Sequence, residues 1–298
     1  MRKSLQLQAE MIKEFGACVF DVTLDCEDGA PVGGEADHAA TVVALVALAA
    51  SKARVAVRVH AVDHPAFESD VSTIAGKVGQ QLSHIMVPKV ESVGDVLKAE
   101  RALMAASAGH LPLHVLIESP AAVQRAFEIA AHPRVQSISF GLMDFVSSHG
   151  GAIPAHGMSS QGQFTHPLVL RAKLEIAAAC HAHGKVPSHC VVTELTDTAA
   201  LLSAAKNAAL QLGYTRMWSI HPNQIRPILE AFSPTEGEIE DATKIIAAAE
   251  QADWAPIRFN GMLHDRASYR YFWHVLERAH LAGRTLPLNA SAYFQAVA

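Results

Sequence analysis

Two acids stand near the ends of two apolar runs, Glu118 in "HVLIESP" (residues 114–120) and Asp144 in "ISFGLMDFV" (residues 138–146). Runs that are apolar throughout fit parallel strands buried on both faces. As neighbouring strands, these two would bring both carboxylates to one edge of the sheet. Two carboxylates in a partly dry site repel, which raises one pKa or calls for a cation. Neither run carries a Lys or Arg of its own. Mg2+ suits such a pair, because it takes one or two carboxylates and leaves other positions to water and substrate oxygens. Mn2+ is compatible with the same oxygen donors. The alternative is that each acid caps the helix after it, as Glu118 could before "SPAAVQRAF".

Two cationic residues occupy comparable places. Arg58 interrupts the apolar "VAVRVHA", and Lys89 follows Pro88 in "VPKVES". A buried Arg needs a partner. Arg58 either bridges acids such as Asp25 or offers its planar fork to a substrate carboxylate, and Lys89 has the same two options. Asp25, Glu27 and Asp28 crowd "LDCEDGAP" too closely for all three to touch substrate. Helix capping, or pairing with Arg58 or Lys89, is the expected work there. The 17 histidines include no H-E-x-x-H, and the four cysteines include no C-x-x-C. No zinc or disulfide framework is expected, and the cysteines read as small buried apolar residues.

The elements that must hold these residues alternate. Strand-like stretches at 17–25, 53–61, 84–90, 113–119, 136–144, 186–193 and 216–221 are separated by alanine-rich helical stretches. That rhythm means a parallel sheet. No glycine-rich turn follows the first strand, so the dinucleotide fingerprint is missing. Polar residues end strand after strand: Asp25, Arg58, Lys89, Glu118, Asp144, His221. A closed barrel would gather them on one face, where barrel enzymes carry their chemistry. The expected fold is α/β, a (β/α)8 TIM barrel whose first strand is lacking or irregular, since only seven strands can be counted.

The expected division is a catalytic barrel domain at 1–232 and a C-terminal helical arm at 233–298. In the arm, "SPTE" predicts Ser233 as N-cap, Pro234 as first helical residue and Glu236 reaching back. The aromatic Tyr269, Tyr271, Phe272 and Trp273 suggest packing on a second subunit, or a helix folded back on its own barrel. With half the residues hydrophobic and a net charge of −5, the 298-residue chain supports a large core and argues against nucleic acid as a partner. The apolar run at 39–51 is too short to span a membrane. The opening residues lack a signal-peptide pattern, so a cytoplasmic protein is expected.

Taken in order, "LDCEDGAP", "VRVHA", "VPKVES", "LIESP", "FGLMDFV" and "SIHPNQI" resemble the citrate lyase β-subunit-like family of the HpcH/HpaI aldolase superfamily, which includes malyl-CoA and citramalyl-CoA lyases. The resemblance implies a carbon–carbon lyase, metal-dependent, that reversibly cleaves a β-hydroxyacyl-CoA into an acyl-CoA and a 2-oxo acid. Coenzyme A would enter as part of the substrate, and the enzyme would be a homo-oligomer, trimeric or hexameric. It further implies Mg2+ on Glu118 and Asp144, a substrate-binding and catalytic role for Arg58, and catalytic and substrate contacts at Glu118. Lys89 is expected to bind substrate. "FNGMLHD" resembles the family's tail motif, whose aspartate, here Asp265, is catalytic and comes from a neighbouring subunit. Two departures stand out: the family's opening strand has no counterpart, and its asparagine after "V-R-V" is His60 here. Alternatives on the same fold are a CoA-independent metal-dependent 2-oxo-acid aldolase, a CoA-thioester hydrolase and a non-catalytic subunit.

Overall fold

The computed structural model describes residues 1–28 and 31–295; Gly29 and Ala30 of "LDCEDGAP" lie outside them. In chain order the elements are α1 (Arg2–Phe15), β1 (Val22–Asp25), α2 (Glu35–Ala47), β2 (Val55–Arg58), α3 (Phe67–Val78), β3 (Leu82–Val87), α4 (Val93–Ala105), β4 (Leu113–Ile117), α5 (Pro120–Gln124) and α6 (Ala126–Ala131). They continue as β5 (Val135–Phe140), α7 (Leu142–Ser147), α8 (Pro167–Ala182), β6 (Val186–His189), α9 (Thr198–Gln211), β7 (Arg216–Met217) and α10 (Ile225–Phe232). Then come α11 (Glu236–Gln251), β8 (Ile257–Phe259), β9 (Met262–His264), α12 (Arg266–Leu281) and α13 (Leu288–Ser291). The chain forms two compact units, one of Met1–Ala9 with Phe20–Phe232 and one of Glu10–Val19 with Ser233–Ala298.

The first unit is built on seven parallel strands in the order β1 to β7. Most of their side chains are apolar, and Val57, Ile85, Val115 and Ile138 are at most 1% exposed; polar residues such as His84, His114, Ser137 and His189 are buried among them. Helices cover the outer face through apolar stripes such as Ala39, Val42, Leu45 and Val46 of α2. The sheet curls. Asp21, just before β1, receives Arg216 of β7 at 2.9 Å, and Arg58 of β2 lies 5.7 Å from the Trp218 ring just beyond β7. Trp218 Nε1 also donates to Ser139 Oγ on β5 at 3.0 Å. Among the described residues no strand pairs with both β1 and β7, so the expected eight-stranded closure is replaced by a curled, open seven-stranded sheet.

Two boundaries differ from the sequence reading. The run expected as a strand over 136–144 stops at Phe140, and Leu142–Ser147 is helical. Gly141 separates the two, so Asp144 sits on the first turn of α7 rather than on the strand. The α11 cap is Thr235, not Ser233: its hydroxyl accepts from Glu238 N while Glu238 Oε2 accepts from Thr235 N at 2.8 Å. Both pairs have the spacing of three that the reciprocal bonds need, but the helix starts at Glu236, so Thr235 and not Ser233 stands at the cap, and Pro234 lies before the helix.

The second unit has its own core, in which Ile239, Ile245, Tyr269 and Leu276 are buried. Residues 257–264 form a β8–β9 hairpin. Its turn is Asn260–Gly261, both with positive φ (47° and 80°), the backbone that a two-residue hairpin turn requires. Tyr269 is buried with its hydroxyl donating to the Ala255 and His264 carbonyls, whereas Tyr271 is exposed.

Candidate active site

The register of the sheet brings the polar strand ends together. Asp25 pairs with Arg58 across β1 and β2, and Ile117 pairs with Phe140 across β4 and β5. Glu118 and Gly141 therefore follow side by side. Gly141 leaves room for Glu118: a Cβ at position 141 would stand 2.5 Å from the Glu118 Cγ. The capping alternative for Glu118 fails, because Ser119 Oγ accepts from Ala122 N at 3.0 Å and takes that role.

Glu118 is only 5% exposed. Its Oε2 accepts the Lys89 backbone N–H at 3.2 Å, from a residue whose φ of 52° lies in the left-handed region. Burial, followed by the charges of Asp144 and Glu27, pushes the Glu118 carboxyl up to about 7, against the opposing pull of Lys89 and Arg58. Asp144 is exposed and its side chain takes no hydrogen bond among the described residues.

Around this pair runs a chain of ion pairs. Lys89 Nζ meets Glu27 Oε1 at 2.6 Å, and Glu27 Oε2 lies 2.9 Å from Arg58 Nη1. Arg58 grips Asp25 with Nε and Nη2 at 2.7 and 2.6 Å, and Nη2 also reaches Asp28 at 2.9 Å. Burial disfavours the Arg58 charge, but Asp25, Glu27 and Asp28 together hold its pKa above the ordinary value. The hydrogen bond that Lys89 donates to Glu27 likewise raises the lysine. Arg58 thus bridges structural acids, the first of the two options its position offered. Two cations face five carboxylates: Asp25, Glu27, Asp28, Glu118 and Asp144. That surplus of negative charge, with one carboxylate dry and its neighbour unpartnered, suits a divalent cation that keeps most of its own water.

Asp265 belongs to the second unit, where it caps α12 by accepting from Ala267 N and Ser268 N at 2.9 and 3.3 Å. His181, in the "CHAHG" run, bonds the Gly213 carbonyl at 2.8 Å. A cavity of about 400 Å³ opens beside the ion-pair chain, lined by Glu27, Glu35, His60, Asp63, His64 and Lys89 among others. A second, of about 420 Å³, lies at the opposite strand ends by Arg134 and Lys185, away from these residues.

The sequence profile of the HpcH/HpaI aldolase/citrate lyase family matches residues 5–222. The chain belongs to this family. It is 29% identical to an L-malyl-CoA/beta-methylmalyl-CoA lyase of Cereibacter sphaeroides over 91% of both chains. It is 32% identical to a citrate lyase subunit beta-like protein of Deinococcus radiodurans, covering 82% of this chain and 84% of that one. The crystal structure of a citrate lyase from Burkholderia xenovorans LB400 superimposes with a TM-score of 0.84 at 48% identity, over 98% of this chain and 92% of the other. Within the family frame, sequence reasoning missed Gly141, Trp218 and the His60–Asp70 pair. A glycine between an apolar run and an acid was a usable signal for the first; the other two depend on distant contacts.

Proposed function

We propose that the protein is a metal-dependent carbon–carbon lyase that cleaves, or forms, a β-hydroxyacyl-CoA such as malyl-CoA or citramalyl-CoA, releasing an acyl-CoA and a 2-oxo acid. The observation that carries the reading is the dry Glu118 carboxylate beside the unpartnered Asp144. Kinship with the Cereibacter sphaeroides enzyme points to CoA thioesters as the substrate class.

Glu118 and Asp144 would hold Mg2+, which when bound supplies a Lewis acid for carbonyl and carboxylate oxygens. The protein's own groups divide the remaining work. The Lys89 amide fixes the orientation of Glu118, and its ammonium, tied to Glu27, stands ready at the rim for an anionic substrate group. Arg58 is held rigid by its carboxylates, with one Nη1 proton left over once its four contacts are allotted. That proton would face the thioester oxygen, where enolate charge develops. Asp265, contributed by a neighbouring copy, would move the proton on the acyl carbon.

The test is incubation of the purified protein and Mg2+ with a panel of β-hydroxyacyl-CoA thioesters and of free hydroxy-oxo acids, with products identified by mass spectrometry. The reading requires an acyl-CoA and a 2-oxo acid from at least one thioester, and loss of turnover in Glu118→Ala and Asp144→Ala. Cleavage of the free acids alone, or release of free CoA without acyl-CoA, overturns it.

A further inference from the structure

The segment after β2 builds a second chemical group that the proposed site does not use. His60 Nδ1 donates to Asp70 Oδ2 at 2.6 Å, and the His60 backbone N–H donates to the same oxygen at 3.1 Å. Both side chains are buried, at 6% and 2% exposure. The His64 ring stacks on His60 with centroids 4.2 Å apart and planes 13° apart, and His64 Nδ1 accepts from Ala66 N at 3.1 Å. With Nδ1 committed to a carboxylate, the lone pair of His60 falls on Nε2. That atom has no hydrogen-bond partner among the described residues, and the ring it belongs to lines the 400 Å³ cavity.

A carboxylate that fixes the imidazole tautomer and leaves Nε2 open on a cavity is the arrangement of a general base. The groups around the ring are Asp70 on α3, Asp63 and His64 in its own segment, Glu35 at the start of α2, Glu27 after β1 and Lys89 after β3. Two of these, Glu27 and Lys89, are the residues that tie the cavity to Arg58 and Glu118.

We propose that His60, oriented by Asp70, is the proton acceptor for the substrate hydroxyl in this site. The assignment rests on the lyase reading for its substrate. In cleavage, an Nε2–H bond forms as the hydroxyl O–H breaks. The O–H electron pair becomes the new carbonyl of the 2-oxo acid, and the carbon–carbon pair moves onto the thioester as an enolate. The enolate carbon is then protonated by Asp265, and His60 and Asp265 regain their starting states by exchange with water. In condensation the same proton returns from His60 to the nascent alkoxide.

Two arms test this. The first needs no turnover: nitrogen-15 NMR of the histidine side chains, assigned with His60→Asn. The dyad requires Nδ1 to carry the proton and Nε2 to be bare in the neutral ring, with the Nε2 resonance moving when a β-hydroxyacyl-CoA is added. Asp70→Ala removes the oxygen that accepts from both Nδ1 and the backbone amide, so the preference for the Nδ1-protonated tautomer should be lost. An Nε2-protonated wild-type ring overturns the proposal, whatever the protein catalyses. The second arm is kinetic. Asparagine keeps a donor to Asp70 but lacks the accepting nitrogen, so His60→Asn should lower kcat by roughly a hundredfold or more with little change in KM. His60→Ala should regain activity with added imidazole in proportion to its free base. An active wild type with an unimpaired His60→Asn variant overturns the His60 role and leaves the lyase standing. A wild type inert toward every thioester sinks the lyase reading, and the NMR arm still decides the dyad.

Discussion

Gly141 has no side chain at the point where the Glu118 carboxyl group needs space; a Cβ there would lie 2.5 Å from Cγ and 2.8 Å from Cδ. Gly141 φ is −92°, a value open to any residue, so the glycine is required by the contact and not by the backbone. Gly141→Ala must therefore push Glu118 out of its place. Overpacking of this kind costs about 1–3 kcal/mol. Metal binding and turnover should fall with it. In a Glu118→Ala background the collision is gone and the same glycine change should cost little, so a double-mutant cycle in urea should show coupling near the full single-mutant cost.

Glu118 predicts a pH dependence of stability in the metal-free protein. Its carboxyl titrates near 7 when folded, against an ordinary 4.5 when unfolded. Between those values the folded form holds a proton that the unfolded form has lost. Stability from this group is therefore greatest at or below about pH 4.5 and declines as the pH rises through 7. A shift of that size is worth on the order of 3 kcal/mol once both forms are ionised. Glu118→Gln, a neutral isostere, should stabilise the metal-free protein at pH 8 and have little effect at pH 4.5. Urea midpoints at the two pH values check this; equal effects at both would remove the buried, electrostatically strained carboxylate from the account.

The same proton competes with a cation. Mg2+ affinity should weaken about tenfold for each unit of pH below 7, as Glu118 takes up its proton. At a hundred times its dissociation constant, Mg2+ should add about 2.7 kcal/mol to stability. Asp144→Asn should abolish most of that gain while leaving the metal-free melting temperature within a few degrees, since Asp144 is exposed and unpartnered. Thermal melts with and without Mg2+, from pH 5.5 to 8, provide the measurement.

Much of this architecture can be read along the chain. All seven apolar runs became parallel strands in sequence order, because continuous burial on both faces leaves a continuous apolar signature. The acid cluster around Glu27 does pair with Arg58 and Lys89, as its crowding suggested. Where a strand stops is less legible. "FGLM" is apolar on both sides of the boundary, and the break at Gly141 is decided by the packing of Glu118 from another strand. The His60–Asp70 bond joins a strand exit to a helix packed over it, and nothing in local periodicity distinguishes Asp70 from the other polar residues of "FESDVSTIAGKV". The open sheet was half-visible, as a strand count that fell one short.

Across that opening, Asp21 is the residue whose loss should be felt most. It lies just before β1 with its side chain 8% exposed, receiving Arg54 Nε at 2.6 Å and Arg216 Nη2 of β7 at 2.9 Å. Burial opposes its charge, but the two guanidinium groups outweigh it and hold the carboxyl at about 2. The stability this provides is present above the ordinary carboxylate value of 3.8 and is lost as the pH falls toward 2. Asp21→Ala takes away the carboxylate that Arg54 and Arg216 share and with it this link between the start of β1 and β7. The two guanidinium groups are a half and a third exposed, so solvent screens what is left and the loss should be about 1–3 kcal/mol. Asp21→Asn keeps the shape and loses the charge, and should recover only a small part. Urea unfolding at pH 7 should show both losses, and at pH 2.5 the wild type should have lost more than half of its advantage; a wild type that keeps its full advantage at pH 2.5 would mean that packing, not charge, joins β1 to β7.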